Sequence, residues 1–173
     1  MTEKKLNILN AATELFAQEG FKATSTSKVA SKAGVSEGLI FKHFKNKPGL
    51  LDAILEEGEK RFRTLYGDII FESNPKHVLK RTIEMPFKIP ESDYGLWRLQ
   101  FKLKWELNLS NDAKRESLMI KLEKSFQSLG FDNPNMEAYF LLNALDNISE
   151  VILNGSLINK DEFKNFLYKK YNL

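Results

Sequence analysis

Apolar side chains recur at three- and four-residue spacing almost from end to end of this chain, the period of one buried helix face. Ile8, Leu9, Ala12, Leu15 and Phe16 form the first stripe, and Leu50, Leu51, Ile54, Leu55, Phe62 and Leu65 form another. No window alternates apolar and polar residues between hairpin turns, as a half-buried strand would. The spacing therefore predicts an all-α chain of about nine helices.

Glycine and proline punctuate those stripes where helices stop and start. Gly20 follows the first, and a short helix is expected over Ser25 to Ala33 with Gly34 behind it. Ser36 is a good N-cap for a third short helix carrying Ile40, Phe41 and Phe44. Asn46-Lys47-Pro48 opens a longer one, with Pro in the first turn, where a missing N–H leaves nothing unpaired. Asn74-Pro75 starts another, and Pro86 and Pro90 interrupt the stretch after it. Tyr94 to Leu109 is dense in Leu and aromatics, Leu118 to Leu129 is closed by Gly130, and Pro134 opens a helix to about Leu153. Asn159 and Glu162 resemble a capping box for the last helix. The expected division is a head over 1–48 and a helical body over 49–173.

With 42% apolar residues, among them 13 Phe, the chain can bury a core, which excludes disorder. It has no Cys, so disulfides, thiolate metal sites and a Cys nucleophile are excluded. The net charge of +3 is unevenly spread: residues 1–50 hold eight Lys against four Glu, and the remainder holds 18 basic against 19 acidic residues. The positive excess thus lies in the first fifty residues, pointing to a polyanionic partner or simply to a solvated lysine-rich surface. No signal peptide or uncharged membrane-length run is found, and a cytoplasmic location is expected.

The segment from Thr24 to Lys47 carries the most specific pattern. Two short helices are separated by Ala33-Gly34-Val35-Ser36, where Gly34 can take the left-handed conformation of a tight turn and Val35 can plug the space between helices. Apart from Glu37, the outer face of the second helix is short, polar or basic: Ser36, Gly38, Lys42 and His43. Such a helix can approach the major groove of duplex DNA.

These residues resemble the DNA-binding domain of the TetR family of transcriptional regulators. The matches are Leu15-Phe16, Gly20-Phe21, Ala23-Thr24, Val29-Ala30, Ala33-Gly34-Val35-Ser36, Gly38, Phe41, Phe44, Lys45-Asn46-Lys47 and Leu50-Leu51, in order and at the right spacings. The resemblance covers about the first 60 residues and implies contacts to DNA by Ser25, Ser27, Lys28, Ser36, Glu37, Gly38, Leu39, Lys42, His43, Lys45 and Lys47. Thr24 to Lys28 would hold a phosphate at a helix N-terminus, although Ser25 can equally serve as a plain N-cap. Lys47 would hold another phosphate. The chain departs from the family where Leu39, Phe41 and His43 replace hydroxyl-bearing or aromatic phenol residues; Leu39 could instead meet a thymine methyl.

The resemblance further implies a homodimer formed by the last two long helices and a small-molecule effector. In the 134–153 helix, Tyr139, Leu142, Leu145, Ile148, Val151 and Ile152 spread over more than one narrow stripe, as an interface helix or one central to the monomer would show. An apolar or aromatic effector is assigned to Phe71, Phe87, Trp97, Phe101, Trp105, Met119, Phe126 and Phe140, for which ordinary core packing is the plain alternative. No membrane partner, cofactor or metal is called for. Enzyme motifs are missing: the two histidines, His43 and His77, stand apart, and no phosphate loop or nucleophile elbow occurs. The expected function is a repressor that binds a palindromic operator as a dimer and is released by its effector. An activator, or a helical interaction module with a basic head, are the rival readings.

Overall fold

A computed structural model describes residues 2–106, 112–156 and 159–173; the side chains of 62, 104–106 and 112–114 also lie outside the described set. Among the described residues the fold is all-α, with nine α-helices: α1 (Glu3–Glu19), α2 (Thr26–Ala33), α3 (Glu37–Phe44), α4 (Lys47–Ile70), α5 (Pro75–Glu84), α6 (Tyr94–Glu106), α7 (Asp112–Ser128), α8 (Pro134–Leu153) and α9 (Lys160–Lys170). The prolines act as expected. Pro75 and Pro134 sit in first turns, and Pro86 lies in a 3-10 turn, Met85–Lys88, directly after α5.

The chain forms two compact units, Met1–Arg61 with Glu91–Leu109, and Phe62–Pro90 with Ser110–Leu173. In the first, α1, α2, α3 and the start of α4 surround Ile8, Ala12, Phe16, Val29, Ile40, Leu50 and Ile54, all essentially without solvent contact. The sequence pattern did not foretell that α6 would join them. Leu96, Leu99 and Leu103 complete this core, and α6 packs along α1. Thr24, the one buried polar residue of this unit among those described, donates its hydroxyl to the Gly20 carbonyl at 2.9 Å.

In the second unit α7 packs on α8 and α5, and α9 on α5. Phe126 is sealed at its centre with Phe131 and Tyr171, ring centroids 5.0 and 5.4 Å away. Arg115 ties α7 to α8 by bonding Asp146 at 2.5 Å and Asn143 at 3.1 Å. The end of α9 is fastened to α5 by Tyr168, whose hydroxyl donates to Glu84 at 2.6 Å.

The α8 helix divides its apolar residues in two. Ala138, Leu141, Leu142, Leu145, Ile148 and Ile152 keep to helical spacing and are buried in the unit itself. Met136, Tyr139 and Phe140 point outward, 65%, 60% and 53% exposed. The six residues expected at an interface divide between these two faces. Leu142, Leu145, Ile148 and Ile152 belong to the core, Val151 is half-buried, and Tyr139 alone of the six is exposed.

Candidate nucleic-acid interface

The turn between α2 and α3 is built by the backbone. Gly34 is left-handed, with φ 66° and ψ 35°. Its N–H bonds the Ser31 carbonyl at 3.2 Å, and the Val35 N–H reaches back to the Ala30 carbonyl at 3.0 Å. This is the paired closure that ends a helix on a left-handed residue. Val35 then packs half-buried on the core, which sets the angle at which α3 leaves. A side chain at Gly34 would meet no neighbour, so the φ and not crowding demands glycine there.

At its far end α3 stops in a tighter bend. Lys45 has φ 67° and ψ −48°, and the Asn46 N–H bonds the Phe44 carbonyl at 2.8 Å across it. That is a γ-turn of the rare, strained positive-φ kind. Asn46 then opens α4, its side-chain oxygen accepting from the Gly49 N–H at 2.7 Å. Gly49 lies so close beneath α3 that an added Cβ would sit 2.2 Å from the Phe44 carbonyl oxygen. The recognition-type helix is thus pinned at both ends by single residues.

All eleven residues implied by the resemblance are exposed or half-exposed, and none is buried. Ser25 caps α2, accepting from the Lys28 N–H at 3.1 Å. Ser27 is exposed beside it. Ser36 occupies the N-cap of α3 but makes no side-chain cap bond, which leaves its hydroxyl available for another partner and corrects the simple capping role. Thr24 is withdrawn from the surface, so within the expected Thr24–Lys28 stretch the exposed residues begin at Ser25. Thr26, half-buried in the first turn of α2, donates to the Glu37 carboxylate at 2.5 Å and so joins the starts of α2 and α3. Gly38 faces open space, and Leu39 is half-buried on the core beside Ser36 in a shallow groove.

The basic side chains differ in what holds them. Lys28 pairs with Glu19 at 2.6 Å, an exposed ion pair worth roughly 0–1 kcal/mol that a phosphate can displace. Lys47 lies over the Phe21 ring at 4.6 Å and donates to the Lys22 carbonyl at 3.2 Å, which restrains its ammonium. Among the described residues, Lys42 and Lys45 have no carboxylate partner and stand exposed. His43 is half-exposed against Phe44, ring centroids 6.0 Å apart. Sequence reasoning matched Phe21 and Asn46 to the motif without assigning them these contacts, and it passed over Gly49. A glycine in a helix's first turn was the available signal for the last.

The aromatic set assigned to an effector is dispersed. Trp97, buried, and Phe101, half-buried, lie on α6 in the first unit. In the second, Phe126 is sealed in the core, Phe87 and Met119 are half-buried, Phe140 is exposed, and Phe71 is 90% exposed at the end of α4. The Trp105 side chain and Leu107 lie outside the described residues.

Two short helices locked by a tight turn, the second presenting a polar and basic outer face, define a helix-turn-helix head. Residues 8–54 match the family of bacterial regulatory proteins called the tetR family. YvkB of Bacillus subtilis (strain 168), an uncharacterized HTH-type transcriptional regulator, is 50% identical over 50 residues, which cover 29% of this chain and 26% of that protein. A TetR-like transcriptional regulator from Rhodococcus sp. RHA1 superimposes with a TM-score of 0.80 over 97% of this chain and 93% of its own, at 20% identity. AibR, solved in complex with isovaleryl coenzyme A and operator DNA, gives 0.64 over 88% and 95%, at 19% identity. Over residues 8–54 the chain is thus similar to the tetR family of bacterial regulatory proteins. It spans less than half the length of the curated relatives it matches, 26% to 48% for three of them, and the likeness to the solved structures is one of fold.

Proposed function

We propose that this protein is a DNA-binding transcriptional repressor that grips a palindromic operator as a homodimer and lets go when a small apolar or aromatic effector binds. The observation that carries the reading is the pinned α2–turn–α3 head with its outward-facing Ser25, Ser27, Lys28, Ser36, Lys42, His43, Lys45 and Lys47. Hydroxyls and lysines of this kind suit phosphate contacts, and the first turn of α3 suits base edges. We assign the functional division to a head over 1–48 and a body over 49–173. One head reads few base pairs, so useful affinity requires two heads at fixed spacing.

For the homodimer, we assign the outward face of α8, which includes Tyr139 of the set drawn from sequence. Met136, Tyr139 and Phe140, with Phe166 of α9 58% exposed, are the large apolar groups of these helices still in water. Solvent-exposed aromatics and Met are the residue types that interfaces enrich. For the effector, support comes from AibR, solved with both an acyl-coenzyme A and operator DNA. A ligand favouring one head spacing over another would shift the population away from the bound form.

Selection of bound fragments from random duplex DNA tests the class directly. Inverted repeats about one helical turn apart are expected. Absence of any enriched duplex would sink the DNA-binding reading, and single asymmetric sites would sink the dimeric one. Tyr139→Glu and Phe140→Glu should give monomers by sedimentation, whereas an intact dimer would place the interface elsewhere. For the effector, both Trp lie outside residues 8–54, so a Trp-quenching compound that leaves operator affinity unchanged does not regulate.

A further inference from the structure

Glu37 is the outlier of the exposed α3 face, a carboxylate where a helix meant for a polyanion carries neutral or basic groups. If it merely tolerated solvent, it would cost affinity, since it sits in the first turn of the helix that approaches the groove. The structure shows it is not left to solvent. Thr26 of α2 donates its hydroxyl to one Glu37 oxygen at 2.5 Å, within the range of charge-assisted O–H···O⁻ bonds. That bond fixes the side-chain rotamer and leaves the other oxygen with acceptor capacity only. Its neighbour Gly38 carries no side chain and has open space where one would be, so that position adds no bulk beside the carboxylate.

Resting on the DNA-binding reading above, we propose that Glu37, held by Thr26, is a specificity-determining residue that selects cytosine at one position of each half-site. The argument is one of complementarity. On the floor of the major groove the hydrogen-bond donors are the cytosine N4 and adenine N6 amino groups. Guanine offers two acceptors, N7 and O6, and thymine an acceptor beside a methyl group, so both repel or fail to pair with a carboxylate. Adenine sets its N7 acceptor beside N6, against the carboxylate's remaining lone pairs. Cytosine places no acceptor beside N4 on that edge and is the base the acceptor accommodates. Thr26 acts as a positioning residue, because without it the carboxylate can swing to water.

The test compares fragment selection from random duplexes for the full-length protein, Glu37→Gln, Glu37→Ala, Thr26→Val and Thr26→Ser, each checked for an unchanged helical spectrum. Wild-type protein should prefer cytosine at one position per half-site by about tenfold. Glu37→Gln, which adds a donor to match N7, should convert that preference to adenine. Glu37→Ala should erase it at that position alone. Thr26→Val should weaken it, and Thr26→Ser should restore it. If wild type enriched no duplex, the DNA-binding reading would fail before this one was reached. If wild type enriched a site and Glu37→Gln selected the same bases with uniformly higher affinity, Glu37 would be a repulsive charge only and the assignment would be overturned. Cytosine retained by Glu37→Ala would overturn it equally.

Discussion

The two units of this chain reach a folded state by different means. In the first, single residues decide the geometry: Gly34 turns the chain left-handed, Lys45 bends it through a γ-turn, and Gly49 lets α3 rest on α4. In the second, bulk decides. Long helices close around Phe126, Leu122 and Leu145, and many apolar residues of similar size would serve. Backbone-determined turns hold side chains at fixed angles, whereas a filled core needs only volume. The exposed apolar groups divide the same way. Met136, Tyr139, Phe140, Phe166, Phe71 and Ile120 belong to the second unit, against Leu6 and Phe41 in the first.

The sharpest way to break this comparison is to empty the second core. Phe126→Ala removes a ring with no solvent contact and should cost about 3–5 kcal/mol. Phe71→Ala, at 90% exposure, should change stability by less than about 0.5 kcal/mol. Urea unfolding measures both. A cheap Phe126→Ala would mean that the second unit is loosely packed and the contrast overstated.

Two glycines of α4 sharpen it further. At Gly49 a Cβ would meet a backbone carbonyl that has nowhere to go, so Gly49→Ala should lose about 2–3 kcal/mol. At Gly67, in the second unit, a Cβ meets nothing, and Gly67→Ala should gain about 0.5–1 kcal/mol from helix propensity. Opposite signs on one helix are the expected thermal-melting result. Equal losses would show that helix continuity and not local approach governs both sites.

The same logic explains how much could be read from the sequence. Turns fixed by one residue leave a one-residue signature, so Ala33-Gly34-Val35-Ser36 announced two short helices and the turn between them. Apolar stripes announce only that a face is buried. They did not say that Leu142, Leu145, Ile148 and Ile152 meet their own unit while Met136 and Phe140 face out, because both stripes have helical spacing. Nor could they say that α6 packs on α1, a contact between residues distant in sequence. The Thr26–Glu37 bond was hidden for the same reason, since its partners belong to different helices.

A smaller effect concerns the latch of α9. Burial works against charge on Glu84, but bonds from Lys88 and Tyr168 outweigh it and hold the carboxyl below its usual range. Burial and the bond to Glu84 push the Tyr168 phenol well above its own. A lowered carboxyl stabilises the fold above its unfolded pKa and loses that contribution as pH falls through the folded value. Tyr168→Phe should therefore cost about 1–2 kcal/mol at neutral pH and less in acid. A penalty independent of pH would mean that the hydroxyl contributes only packing.

The smallest expected effect pits the head's geometry against its function at one residue. Lys45 carries a side chain at φ 67°, where L-residues are strained and glycine is not. Relief of that strain should amount to about 1 kcal/mol, offset in part by the greater freedom glycine gives the unfolded chain. Lys45→Gly should thus stabilise the protein by a net of about 0.5 kcal/mol. Lysine stands there at a cost in stability, and on the proposed DNA-binding reading its exposed ammonium would meet a phosphate just beyond the end of α3. The same variant should then weaken binding to all duplexes alike and lower the salt slope by about one unit per head. A stabilised variant with undiminished affinity would make Lys45 a strained surface residue and nothing more. A destabilised one would mean that the bend at the end of α3 depends on its side chain, against the backbone-only account of the first unit.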